Sequence, residues 1–165
     1  MLPPQPASPV SPEALRRTLA SFPTGIVLVT AHDFDGAPVG MLANSFTSVS
    51  LDPPLVSLAF ARSSSTWPLL RDASLLRISV LGTEHHALVS QLAGPTAQRF
   101  VGLECALRSE DAALLGSPAT LSAAPERIIE AGDHDLALLR VLQVEQDRDI
   151  DPLVFYARQL HRLAA

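Results

Sequence analysis

The sequence predicts a mostly β fold, an antiparallel sheet closed into a barrel with a few short helices, and three observations predict it. The run Ile26–Ala31 is rich in β-branched residues and leads into Asp33-Phe34-Asp35-Gly36, a hairpin turn whose glycine is free to take a positive φ. The run Leu136–Val144 is apolar on both alternating faces, with Leu136, Leu138 and Leu142 on one and Ala137, Leu139 and Val141 on the other. A strand wet on one side alternates cleanly, so this one is expected to be a wall covered on both sides, by a helix or a second subunit. Tight turns between strands, with no regular βαβ repeat and no Gly-x-Gly-x-x-Gly after a strand, argue against a doubly wound sheet.

The elements follow in order. Met1–Val10 holds four prolines and little to bury, and is expected to be a disordered leader before one domain over 11–165. Ser11 and Pro12 start a helix, the hydroxyl as cap and the proline at the first helical position. It runs to about Ser21, with Leu15 and Leu19 on one face, and Phe22-Pro23-Thr24-Gly25 ends it. Strands are expected over Ile26–Ala31, Pro38–Phe46, Leu55–Phe60 and Leu75–Leu81, with a short helix over Ser64–Asp72 capped by Ser64 or Ser65. His85–Leu92 reads as helix, with Leu88 and Leu92 four apart, and Pro95–Phe100 as one further turn. Arg108–Ala119 reads as loop; Ala124–Ala131, Leu136–Glu145 and Leu153–Tyr156 complete the strands. There is no internal repeat.

Composition excludes several functions. The net charge of −5 argues against nucleic acid, whose binding rests on neutralising phosphates with basic side chains. All 12 basic residues are arginine, which removes P-loop, Schiff-base and Ser-Lys chemistries. One cysteine, Cys105, leaves no intramolecular disulfide and no multi-cysteine metal or iron–sulfur site; nothing basic adjoins it, and it reads as structural. No apolar run reaches the ~18 residues of a membrane span, and no signal peptide is apparent, so a cytoplasmic protein without membrane contact is expected. With 47% hydrophobic and only 18% charged residues, much of the surface must be apolar or covered, which points to a homo-oligomer.

The densest chemical signal is Asn44-Ser45-Phe46-Thr47-Ser48-Val49-Ser50, four hydroxyls and an amide in seven residues before Leu51-Asp52-Pro53-Pro54. Small hydroxylated side chains leave backbone N–H groups accessible and add rotatable donors, which suits a flat, polar-edged, phosphorylated ligand. Phe22–Thr30 precedes this segment. Arg62-Ser63-Ser64-Ser65-Thr66, Arg99-Phe100, Gly132-Asp133-His134 and Pro152–Tyr156 follow it. In that order the motifs resemble the flavin reductase family of FMN-binding split barrels, over roughly Leu15–Leu163.

The resemblance implies an NAD(P)H:flavin oxidoreductase that binds FMN, or FAD, as a homodimer and supplies reduced flavin to a partner monooxygenase. It puts Asn44 and Ser45 toward the ribityl and pyrimidine side, with backbone groups of Ser48, Val49 and Ser50 at the ring edge. The phosphate would take Ser63, Ser64, Ser65 and Thr66, where a strand gives way to a helix, with Arg99 as cation and Phe100 packed at the ring. His134 would stand where nicotinamide meets flavin, with Tyr156 beside it. Read as residues alone, His134 is an imidazole before a buried strand and among carboxylates, and Tyr156 is the only tyrosine. His85 and His86 open a helix and are expected at the surface; Trp67 is expected to anchor the short helix in the core. The missing lysines mean that any cation for the nucleotide must be arginine. A slow or non-catalytic FMN-binding barrel is the alternative, and an oxidase of a pyridoxine-type phosphate a third reading. Scarce arginine clusters weigh against the second phosphate site that the third requires.

Overall fold

The computed structural model describes residues 10–163, so the expected leader lies outside it but for Val10, which is exposed. Ser11 caps the first helix, α1 (Pro12–Leu19), by accepting from the Ala14 N–H at 3.1 Å. Ten strands follow: β1 (Thr24–Gly25), β2 (Val27–His32), β3 (Pro38–Ala43), β4 (Thr47–Leu51), β5 (Pro54–Ala61), β6 (Leu76–Val80), β7 (Ala119–Ala131), β8 (His134–Gln146), β9 (Leu153–Tyr156) and β10 (Gln159–Arg162). Two short helices, α2 (Trp67–Arg71) and α3 (Val89–Leu92), interrupt them.

Seven strands form one antiparallel sheet in the order β3-β2-β6-β7-β8-β5-β4. The chain passes from one edge of that sheet, β3, to the other, β4, through Asn44, Ser45 and Phe46 alone, so the sheet must roll up. Ser45 closes the seam in place of a backbone ladder: its hydroxyl accepts from the Ala59 N–H at 3.0 Å and donates to the Ala59 carbonyl at 3.1 Å. The barrel is therefore split along β3–β5, as the sequence predicts. A second sheet, β1-β9-β10, flanks it.

The β2 run is apolar at successive positions because it has a core on each face. Val27 and Val29 enter the barrel with Leu58, Phe60, Ile78 and Leu139, while Leu28 faces a second cluster with Leu81, Leu92 and Leu153. Trp67 anchors α2 as expected. It is buried, stacks on Phe60 with centroids 4.2 Å apart, and donates Nε1–H to the buried Asp135 at 2.8 Å.

Several boundaries differ from the sequence reading. The strand expected over Pro38–Phe46 ends at Ala43, because the chain must turn across the seam, and 47–51 forms β4. The Ser64–Asp72 helix shrinks to α2, since the Ser64 hydroxyl accepts from both the Thr66 and Trp67 N–H groups at 3.2 Å and holds a turn there. β7 starts at Ala119 rather than Ala124, and β10 was not anticipated. On β8, Ala137 and Leu139 are buried, but Leu142 is 54% and Val144 71% exposed; within one chain this wall is covered on one face only. His85 is buried, with Nδ1 accepting from the Gly82 N–H at 3.0 Å and Nε2–H donating to the Leu115 carbonyl at 2.7 Å. Cys105 is exposed rather than structural.

The loop before β7 is fixed by an ion network. Asp111 lies 2.8 Å from both Arg77 and Arg108, and Arg108 reaches Glu145 at 2.9 Å; Arg77 also donates to Ser122. Burial works to raise the Asp111 pKa, but hydrogen bonds from Arg108 and the Ala113 N–H, and the charges of Arg77 and Arg108, outweigh it and leave it lowered. A lowered carboxylate pKa gives stability that is complete above the unfolded value of ~3.9 and disappears as pH falls through the folded value. Asp111→Asn is therefore expected to cost about 2 kcal/mol at neutral pH, mostly from stranding Arg77. In urea melts the gap from wild type should begin to narrow below about pH 4 and close only as pH falls through the lowered folded value; a gap that does not narrow with falling pH would contradict the assignment.

Candidate functional site

The seam brings the hydroxyl-rich segments together. At one end, β5 runs out at Ala61 and the chain turns through Ser63, Ser64, Ser65 and Thr66 into α2. Ser63 and Ser65 are exposed, and Thr66 is buried. Arg99 donates Nη1–H to the Thr66 hydroxyl at 3.0 Å and to the Gly40 carbonyl at 3.0 Å, and its Nε–H to the Gly94 carbonyl at 2.9 Å. Thr96 Oγ1 sits 3.4 Å from Thr66 Oγ1 and 3.5 Å from Ser65 Oγ. Among the described residues no carboxylate lies within 4.0 Å of Arg99, so a positioned guanidinium is left unneutralised beside three hydroxyls. That combination suits a phosphate.

Gly40 is what lets β3 come this close. A Cβ there would lie 2.8 Å from Thr30 Cγ2 and 3.1 Å from Phe100 Cζ. Phe100 is half-buried and packs on the second core cluster, next in the chain to Arg99. Thr96 escaped the sequence reading. Its signal was slight, a hydroxyl after Pro95 and three residues before an arginine.

Further along the seam the roles divide. The Ser45 hydroxyl spends its proton and one lone pair on Ala59, which leaves it able to accept from a ligand but not to donate to one. Asn44 is exposed. β4 is an edge strand with a bulge: Ser48 pairs with Val56 and Ser50 with Leu55, leaving Val49 unpaired between them. Edge and bulge together expose backbone N–H and C=O groups of Ser48–Ser50 to a ligand's rim.

The β7–β8 hairpin closes on Gly132 and Asp133, Gly132 taking φ 69° as the first position of such a turn demands. His134 then pairs with Ala61 at the end of β5, and the Arg62 N–H donates to the Asp133 carbonyl at 3.0 Å, which fixes the backbone that carries the imidazole. Its Nδ1 lies 2.8 Å from Asp133 Oδ1, and its side chain is 44% exposed. The hydrogen bond from His134 and its charge, with a smaller contribution from Arg16, hold the Asp133 carboxyl below the usual range. Tyr156 ends β9 and is exposed. Its ring neighbour is His161, with centroids 5.9 Å apart, and it lines a groove with Asn44, Phe22 and Arg16. Among the described residues there is no cluster of three or more metal-ligating side chains.

Comparison with known proteins shows the family. The flavin reductase-like domain model matches residues 19–164. A probable flavin reductase of Rhizobium meliloti is 37% identical over 135 residues, 81% of this chain; the chain spans only 43% of that longer protein. The reductase subunit HsaB of a flavin-dependent monooxygenase from Rhodococcus jostii is 30% identical over 154 residues, covering 93% of this chain and 78% of the relative. Among solved structures, the NADH:FAD oxidoreductase SgcE6 of Streptomyces globisporus C-1027 superposes with a TM-score of 0.83 at 32% identity, over 97% of this chain and 99% of that one.

Proposed function

The chain belongs to the flavin reductase-like domain family, and we propose that it moves a hydride from NAD(P)H to FMN, or FAD, held along the barrel seam. The observation that carries this reading is the unneutralised Arg99 among Ser65, Thr66 and Thr96 at one end of a seam whose other end is the open edge of β4. Arg99 and the hydroxyls hold the phosphate. Asn44 and the backbone of Ser48–Ser50 meet the polar rim of the ring, where N–H donors favour the negative charge that reduction brings. Bound flavin supplies the acceptor for the hydride. The task left to the chain is to stack the nicotinamide on that ring, exclude water and balance charge, which falls to His134 at the Gly132–Asp133 turn, with Tyr156 edging the approach. Consumption of NADH or NADPH that rises with added FMN to saturation is the expected assay result. A protein that binds FMN and consumes neither would be a binding module.

The kinship with a monooxygenase reductase subunit supports a partner monooxygenase as the consumer of reduced flavin. No described helix is long and apolar enough to cross a membrane, and we place the protein in the cytoplasm. The exposed Leu51, Leu142 and Val144 on β4 and β8 support a two-fold homodimer that covers this wall and completes the flavin site from both chains. Dilution should then release flavin and separate subunits together. Light scattering that finds a 17.6 kDa monomer with flavin fully bound would contradict the dimer.

A further inference from the structure

We infer that the groove between α1 and the β9–β10 turn, edged by Arg16, Arg17 and Arg158, takes a phosphate of the reduced pyridine nucleotide. The inference rests on the reductase reading and supplies the nucleotide cation that a lysine-free chain must build from arginine. The sequence reading counted arginine clusters as scarce, and in the fold these three come together around a groove of about 650 Å³ that Tyr156 also lines. Arg62, Arg71, Arg77, Arg108 and Arg140 each face a carboxylate, whereas none of the three groove arginines has one within 4.0 Å among the described residues. Glu13 is the one acidic residue on the lining. In a chain of net charge −5, three unpaired cations on one groove are a concentrated anion site.

Position matches the ligand. Arg16 and Arg158 also edge the adjoining groove with Phe22, Tyr156 and Asn44, the last a residue of the proposed flavin seam. A phosphate bound here lies beside the place proposed for the nicotinamide, and in the nucleotide only a ribose separates that ring from the first phosphate.

The backbone gives a second, independent reason. The β9–β10 turn holds Ala157 at φ 51° and Arg158 at φ 64°, left-handed positions where glycine or asparagine is usual. The Ala157 N–H donates to the Ala20 carbonyl at 2.9 Å, which fixes the turn against the end of α1. The turn thus holds the backbone of a groove-lining arginine in a fixed place against α1.

The test uses the full-length, FMN-loaded protein and Arg158→Gly, which relieves the strain while removing the charge, so the melting temperature should hold or rise. With NADH and NADPH as donors the KM should increase about tenfold, the loss of one charge-assisted contact. With 1-benzyl-1,4-dihydronicotinamide, which has no phosphate, it should not change. ADP-ribose and its 2′-phosphate, followed by calorimetry, should lose affinity by the same factor. Loss toward NADPH and the 2′-phosphate alone would place the 2′-phosphate in the groove; loss toward both nucleotides would place the pyrophosphate there. Unchanged nucleotide KM and calorimetric affinity, or an equal loss with the phosphate-free donor, overturns the inference. If wild type oxidises none of the three donors, it is the reductase reading that fails, and the calorimetry still decides whether the groove binds phosphate.

Discussion

Replacing Arg99 with glutamine should weaken FMN binding about a hundredfold while leaving riboflavin within about threefold of wild type. A phosphate facing this corner meets one positioned cation and three hydroxyls, and a charge-assisted bond in a partly enclosed site is worth about 2–3 kcal/mol. Arg99 also ties Gly40 to Gly94 and Thr66, so its loss can loosen the seam as well as remove a charge. Riboflavin separates the two effects, because it presents the same ring without the phosphate. Replacing Ser65 with alanine and Thr66 with valine together should act in the same direction but less strongly, about tenfold, since hydroxyls contribute without net charge. Equal losses for FMN and riboflavin in fluorescence titrations would remove the phosphate from this corner.

His134→Ala should slow flavin reduction about a hundredfold at saturating NADH and leave FMN affinity within about twofold. Hydride passes without a proton, so the imidazole is not required as an acid. Its place at the start of β8, held by Asp133 and paired with Ala61 at the end of β5, suits it to position the nicotinamide and answer the charge that the nucleotide loses. Rapid mixing without oxygen reads the reduction step alone. A folded variant that has lost FMN instead would move His134 into the flavin shell and end the positioning role.

What the sequence disclosed followed local rules. Ser11 and Pro12 announced α1, the β-branched Ile26–Ala31 run announced a strand, and Asp33-Phe34-Asp35-Gly36 announced the turn that joins it to β3. The missed strands have polar sequences for physical reasons. Gln159–Arg162 pairs only with β9 and carries one apolar residue, Leu160, while Thr47–Leu51 lies at a sheet edge, where its Ser48-Val49-Ser50-Leu51 alternation is too short and too rich in hydroxyls to stand out. His85 read as a surface residue because its two partners, Gly82 N–H and the Leu115 carbonyl, are backbone groups that no motif advertises. Leu142 and Val144 read as part of a wall covered on both faces because both are apolar, and the single chain leaves them open. In the site itself, Ser65, Thr66 and Arg99 were legible from residue type and order. Thr96 and the three groove arginines were not: Arg16 and Arg158 lie at opposite ends of the chain, and only the contact between α1 and the β9–β10 turn unites them.

Anaerobic titration of the FMN-loaded protein with NADH, then NADPH, followed by absorbance, tests the central claim most directly. The reductase reading predicts that the visible flavin bands bleach in proportion to added nucleotide, reaching completion near one equivalent per flavin. Bands that stay unchanged with both nucleotides, in protein that holds its flavin, would contradict it.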